Sequence, residues 1–224
     1  MYNNMDEKYL SLYNSDYFLA YINDPLREEM YKQELRRLLK YKNGGKILDV
    51  GCGLGLFLDM LDNNKWDKYG VEISPEATAV CKKKGIQVSG YDYPDNFFDV
   101  IVFRGSIQHI DTPLYIIKKC YSLLKEDGII VFLATPNTNS ICYKLFEDLP
   151  MIDPKYNFVL FSDKMLRQIL ENFGFEILEF YYPYIGTPYA KPIKDFFYFT
   201  LRLFGFKKKF AFYGNVMECY AKKR

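Results

Sequence analysis

Apolar and polar positions follow two rhythms along this chain. Short apolar runs end at an acid, a glycine or a proline. Stretches in which apolar residues recur every three or four positions follow them. The runs "KILDV", "KYGVEIS", "IQVSG", "FDVIVF", "IIVFLATP", "EILEFYY" and "NVMECYAKK" read as strands. The helical rhythm runs over 5–22, where Tyr9, Tyr13, Tyr17 and Tyr21 share one face. A second helix starts with Asp24 as cap and Pro25 in its first turn, and "KNGG" stops it near residue 43. Further helices are expected over 54–64, over 75–85 with Ser74 as cap, over 111–128 with Asp111 as cap, and over 162–175 with Ser162 as cap.

Strands alternating with helices across short connections imply parallel pairing with helices on both faces, a doubly wound α/β sheet. The continuous apolar runs "IVF" and "IIVFL" suit strands covered on both sides. No stretch separates two domains. The expected division is an N-terminal helical lid or cap segment (1–44), a core (45–182), an aromatic and basic insert (183–213) and a last core strand (214–224).

The composition narrows the function. Lys and Arg number 30 against 28 acids, a net charge of +2, which excludes a basic footprint spread over the whole surface. No nucleic-acid partner is expected. The five cysteines form no C-x-x-C pair and their number is odd, so neither a disulfide framework nor a zinc site is expected. One histidine and scattered carboxylates give no metal-ligand cluster. The opening "MYNNMDEKYLSLYNS" has no basic start followed by an apolar run, and no stretch reaches the length of a membrane span. The expected location is the cytoplasm, with peripheral membrane contact as an option.

The candidate chemistry centres on "ILDVGCGLGLF", residues 47–57. Ligands of a doubly wound sheet bind outside the carboxyl ends of the strands, and this turn sits there. Gly51 and Gly53 let the backbone bend sharply and approach a ligand. A dinucleotide turn reads G-x-G-x-x-G, whereas Gly55 comes one residue early. Asp49 would repel a pyrophosphate and favours a cationic partner. Glu72, 17 residues after Gly55, can accept the hydroxyls of a ribose. A ligand with a positive amino acid end and a free ribose fits both, and S-adenosylmethionine is such a ligand. A bare strand–helix connection is the alternative reading. Gly55 reads as helix packing, and Cys52 as a small turn residue with no sign of an activated thiolate.

These motifs resemble those of the class I S-adenosylmethionine-dependent methyltransferases, most closely the ubiquinone-synthesis-like and small-molecule branch. The resemblance covers "KILDVGCGLGLFL", "YGVEIS", "FDVIVFRGSIQHIDTPLYIIKKCYSLLKEDGIIVFLATPN" and "LFSDKMLRQILENFGFEILEF", about residues 45–182. It implies a Rossmann-like sheet of seven strands with the last one antiparallel. It also implies that Asp49, Gly51 and Gly53 line the methionine end, with Cys52 in the same turn. Glu72 and the adjoining Ile73 would meet the ribose, and the Arg104 backbone would lie near the methionine amino group. S-adenosylhomocysteine would be the product, without a metal. The sequence departs from the family in two places. The loop "SGYDYPDNFFD" is compressed, leaving Tyr91 and Asp92 as weak candidates for adenine contact. Asn157 stands where many members carry a histidine.

Methyl transfer from a sulfonium needs an aligned acceptor and a group to take its proton. His109, in "RGSIQHIDTP", follows the fourth strand beside the turn and is the candidate base; packing under the next helix is the equal alternative. The absence of a D/N-P-P-Y/F motif after that strand argues against methylation of nucleic-acid bases. A hydroxyl of a small or glycan- or lipid-linked acceptor, anionic in one version, is the expected target. A small amine is the first alternative, and a non-catalytic nucleotide-binding module the second. The segment 191–210 is apolar nearly all round and ends in Lys207, Lys208 and Lys209. It reads as an acceptor cap, favoured over a membrane-surface element, with packing on a partner subunit and simple core packing as the other readings.

Overall fold

The computed structural model describes residues 24–224, and the tyrosine stripe at 9, 13, 17 and 21 lies outside them. The elements are α1 (Pro25–Leu38), β1 (Gly45–Val50), α2 (Leu56–Asp59), β2 (Trp66–Val71), α3 (Pro75–Lys83), β3 (Gln87–Val88) and β4 (Phe98–Arg104). A 3-10 turn (Ile107–His109) follows, then α4 (Pro113–Leu123), β5 (Leu124–Pro136), α5 (Ile141–Phe146), α6 (Asp163–Asn172), β6 (Phe175–Tyr181), α7 (Pro192–Leu203) and β7 (Val216–Lys223). The strands form one sheet in the order β3-β2-β1-β4-β5-β7-β6. β1 to β5 pair in parallel, and β7 runs antiparallel between β5 and β6. The expected seven-stranded Rossmann-like sheet with an antiparallel last strand is present.

The two-residue period of the strands divides the core. Leu48 and Val50 of β1, with Ile101 and Phe103 of β4, pack on Ile117 and Cys120 of α4 and Leu166 and Leu170 of α6. Ile47, Val100, Val102 and Val131 face the other way, against Tyr31, Leu35 and Leu38 of α1 and Phe57 and Leu58 of α2. Asp49, two residues after Ile47, and Arg104, two after Val102, therefore continue the α1 face into the carboxyl end of the sheet.

Most helix starts follow the sequence. Asp24 accepts from Leu26 N at 3.0 Å, Ser74 from Ala77 N at 3.4 Å and Ser162 from Met165 N at 3.0 Å. Three expectations are corrected. Thr112, not Asp111, is the N-cap of α4, and Asp111 instead accepts the Thr112 hydroxyl at 3.0 Å. The helix expected over 54–64 is only Leu56–Asp59, because Asp62 accepts the Asn64 N–H at 2.9 Å in a turn that competes with helical bonds. The helix expected to 128 ends at Leu123, since Leu124 pairs with Phe98 in the sheet. α5, capped by Ser140 onto Tyr143 N at 3.2 Å, had no counterpart in the pattern.

α1 buries charge as well as apolar surface. The Arg37 guanidinium makes a bidentate pair with Glu218 of β7, its Nε 2.7 Å from Oε2, and lies 4.6 Å above the Tyr181 ring. Glu218 is fully buried and also accepts the Tyr220 hydroxyl at 2.8 Å. A lone buried charge is far more costly than a paired one. Arg37→Met strands Glu218 and should lower stability by about 3–5 kcal/mol in urea unfolding, while Arg37→Met combined with Glu218→Met should cost markedly less.

Candidate active site

The turn after β1 is built from backbone. Gly51, Gly53 and Gly55 have φ of 80°, 54° and 69°, all left-handed. The N–H groups of Gly51 and Cys52 both donate to Val71 O, at 2.8 and 3.1 Å, which ties the turn to the end of β2. A Cβ on Gly51 would lie 2.7 Å from Ser106 Cβ, and the Ser106 hydroxyl donates to Val50 O. The glycine thus lets the segment after β4 close on the turn. Gly55 serves packing, as expected, since a Cβ there would meet Ile86 Cδ1 at 2.4 Å.

Glu72 closes the turn from the β2 side. Its Oε2 accepts Gly53 N at 2.8 Å, and its Oε1 accepts Ile73 N and Ser74 N, each at 2.8 Å. Oε1 is saturated by the backbone, so Oε2 keeps the spare acceptor capacity for a ribose hydroxyl. Burial pushes its carboxyl up, against the pull of those three N–H groups.

Asp49 is 2% exposed, and its Oδ1 has no hydrogen-bond partner among the described residues. Burial pushes its pKa up to about 7. The nearby Arg104 opposes that shift, while Glu72 and Glu34 add to it. Arg104 cannot neutralise it fully because its guanidinium is already engaged. Nε and Nη2 lie 2.6 and 3.2 Å from the two oxygens of the fully buried Glu34, and the guanidinium stacks 4.1 Å over the Tyr31 ring. The Arg104 side chain is thereby turned towards α1.

The remaining expected residues are distributed around this centre. Cys52 is buried with its Sγ 3.9 Å from Cys81 Sγ, and Cys81 donates to Gly53 O at 3.1 Å. The hydrogen bond with Cys81 and burial push the Cys52 thiol up, so it packs rather than reacts. Ile73 contributes its N–H to Glu72. Tyr91, in the short loop after β3, packs half-buried on the α4 side of the core.

His109 closes the 3-10 turn that begins beside Gly51. Its Nδ1 lies 2.7 Å from Tyr156 O; a carbonyl only accepts, so Nδ1 carries the proton and Nε2 is the basic nitrogen of the neutral ring. The Gln108 amide nitrogen lies 3.3 Å from Nε2. Burial holds the imidazole below its ordinary pKa, against the carbonyls of Tyr156 and Gly105. The segment carrying Tyr156 is itself held by Phe158 N donating to Gln108 O at 2.9 Å.

The sequence reading missed two participants. Glu34 sits on the apolar stripe Tyr31–Leu35–Leu38, and a charge on such a stripe was the available signal. Tyr156 acts through its backbone carbonyl, which no residue pattern marks.

The donor set fits S-adenosylmethionine. A buried carboxylate oxygen without a partner awaits a positive group, the turn beside it is built on left-handed glycines, and one oxygen of Glu72 can take a ribose hydroxyl. Among the described residues no group of three or more His, Cys, Asp or Glu side chains could hold a metal ion.

Comparison with known proteins agrees with this geometry. A methyltransferase-domain family matches residues 24–179. This chain belongs to the class I methyltransferase family, whose cofactor is S-adenosylmethionine. Among its relatives, a ubiquinone biosynthesis O-methyltransferase of Actinobacillus pleuropneumoniae serotype 7 is 29% identical over 148 residues, covering 59% of this chain and 61% of that one. Phosphoethanolamine N-methyltransferase 3 of Arabidopsis thaliana is 28% identical over 159 residues, 64% of this chain and 31% of that one. The chain thus spans about three fifths of the first relative's length, and less of the second's. A methyltransferase structure from Archaeoglobus fulgidus has the same fold, with a TM-score of 0.62 at 23% identity over 88% of this chain and 94% of that one.

The tightness of the turn is directly measurable. Gly51→Ala adds a Cβ that must displace Ser106 at a left-handed φ, and should lower stability by about 1–3 kcal/mol in thermal or urea unfolding. A change below about 0.5 kcal/mol would show that the turn is looser than described.

Proposed function

We propose that this protein is an S-adenosylmethionine-dependent methyltransferase that methylates a hydroxyl of a small or glycan- or lipid-linked acceptor. The observation that carries the reading is Asp49, a buried carboxylate with an unpaired oxygen beside a turn of left-handed glycines. Asp49 faces the positive amino acid end of the cofactor, Gly51 and Gly53 pass beneath it, and Glu72 Oε2 takes a ribose hydroxyl. Arg104, fixed by Glu34, leaves its backbone for the amino group. Ile73 and Tyr91 border the nucleoside. When bound, the cofactor supplies a methyl group already activated on a sulfonium.

The chain's own task is then the acceptor. His109 Nε2 would take the proton of the acceptor hydroxyl as that oxygen receives the methyl group the bound cofactor would supply. The Tyr156 carbonyl fixes the tautomer that keeps Nε2 basic. A depressed pKa keeps the ring neutral at pH 7 and ready to accept. An amine acceptor is the second reading, supported by the likeness to phosphoethanolamine N-methyltransferase 3.

Calorimetry tests the cofactor assignment. The folded pKa of Asp49 is raised above its ordinary 3.8, so its ionisation opposes folding: the stability present below 3.8 is lost as pH rises towards about 7. A cation bound beside it favours the ionised form. Binding of S-adenosylmethionine should therefore release a proton, close to one per site near pH 6 and falling towards zero above about pH 8, and affinity should rise across that range. Binding of NAD without S-adenosylmethionine would overturn the assignment.

The rate–pH profile tests His109. At saturating cofactor the acid limb of kcat should lie below about 6.5, the ordinary histidine value, because burial lowers the pKa. His109→Ala should reduce kcat roughly 10²–10⁴-fold with cofactor affinity nearly unchanged. A loss smaller than about tenfold would favour the amine reading or a packing role.

A further inference from the structure

The insert between β6 and β7 wears its amphipathy reversed. On α7 the residues Asp195, Tyr198, Phe199 and Arg202, spaced as one helical face, point inward. Asp195 is buried and accepts the Tyr184 hydroxyl at 3.0 Å and Lys191 N at 2.7 Å. Arg202 pairs with Asp148 at 2.9 Å and lies 4.8 Å from the Phe146 ring centre. Phe199 stacks on Phe212 at 4.9 Å, completing a small core with Cys142, Leu149 and Phe210. Asp195 and Arg202 are thus satisfied inside, while Lys194 stays exposed.

The opposite face is apolar and uncovered. Ile193 is 91% exposed, and Phe196, Phe197, Leu203, Phe204 and Phe206 are each more than half exposed. Lys191, Lys194, Lys207, Lys208 and Lys209 border them, all exposed, and among the described residues none makes an ion pair within 4.0 Å. The only acid between 191 and 210 is the buried Asp195. The rings of the insert thus divide: Tyr198, Phe199, Phe210 and Phe212 pack inward, and Phe196, Phe197, Phe204 and Phe206 face outward.

We infer that α7 and the lysine turn after it form a docking surface for an anionic lipid bilayer. The match is in charge and in shape. A shallow helix with rings on one side and exposed lysines without a carboxylate partner at its borders places the rings at the headgroup–acyl boundary and the ammonium groups among lipid phosphates. No helix of the described residues is long and apolar enough to cross a membrane, so the contact is a surface one. The segment before α7 is tied to α1 by Gln33 Nε2 donating to Gly186 O at 2.9 Å and by the Tyr189 hydroxyl donating to Asp24 at 2.8 Å. The docking surface is therefore anchored to the helix that holds Arg104.

The test is sedimentation of the whole protein with vesicles of phosphatidylcholine alone or mixed with phosphatidylglycerol. The protein should pellet with the mixed vesicles, less so as salt rises, and weakly with phosphatidylcholine alone. Lys207→Glu, Lys208→Glu and Lys209→Glu together should lower the partition coefficient by about a hundredfold, at roughly fivefold per lysine lost. Phe196→Ser, Phe197→Ser and Phe204→Ser together should also release the protein. All six side chains are exposed, and an unchanged unfolding midpoint verifies that the variants fold. Absence of binding to the mixed vesicles, or binding that survives both sets of changes, overturns the inference. Concentration-dependent dimers in sedimentation velocity, abolished by the phenylalanine changes and accompanied by no vesicle binding, would overturn it by assigning the face to a second copy.

Discussion

The carboxyl end of this sheet depends on how α1 disposes of the charges it buries. Glu34 and Arg37 are three residues apart and could have paired with each other on a solvated helix surface. They are instead drawn apart, Glu34 to Arg104 on β4 and Arg37 to Glu218 on β7. Each pair satisfies a charge that would otherwise be intolerable in the core. The Glu34–Arg104 pair has a further consequence. Around it lie two carboxylates, Glu34 and Asp49, and one guanidinium, and Glu34 holds that guanidinium bidentately. Asp49 is left with a charge deficit that only a proton or an incoming cation can fill. The same contact that fastens α1 to the sheet therefore leaves Asp49 without a full counter-charge, the basis of its proposed role towards a positive ligand.

The acceptor side follows from a second coupling. Gly51 lets Ser106 approach the cofactor turn, and the chain from Ser106 winds at once into the short turn that ends at His109. The glycine turn and the candidate base are thus linked by the short run from Ser106 to His109, with the Ser106 hydroxyl bonded to Val50 O. The loop carrying Tyr156 then closes over the imidazole and selects its tautomer. In the proposed reaction, proximity and proton acceptance would both rest on these connections.

The insert obeys a different logic. A surface helix ordinarily buries its apolar stripe and offers charge to water. α7 packs Asp195 and Arg202 against partners and offers phenylalanines outward. Such an arrangement is stable where the outward side is not water, and the exposed lysines around it specify the sign of what lies there.

Much of this was legible along the chain. The two-residue and 3.6-residue rhythms fixed the alternation of strands and helices, because burial on a sheet face and on a helix face has no other period. The glycines at 51 and 53 and the acids at 49 and 72 marked the tight turn and the two carboxylates beside it, since those residue types carry their chemistry locally. Other features existed only after folding. Helix ends at 59 and 123 were decided by competing bonds from Asp62 and Leu124. The pairing of Glu34 and Arg37 with residues 70 and 181 positions away, the proton affinity of Asp49, the tautomer of His109 and the outward turn of Phe196 and Phe204 all depend on contacts between distant segments. A sequence records which groups are present and with what period; the dielectric around them and the partners facing them are set by the tertiary packing.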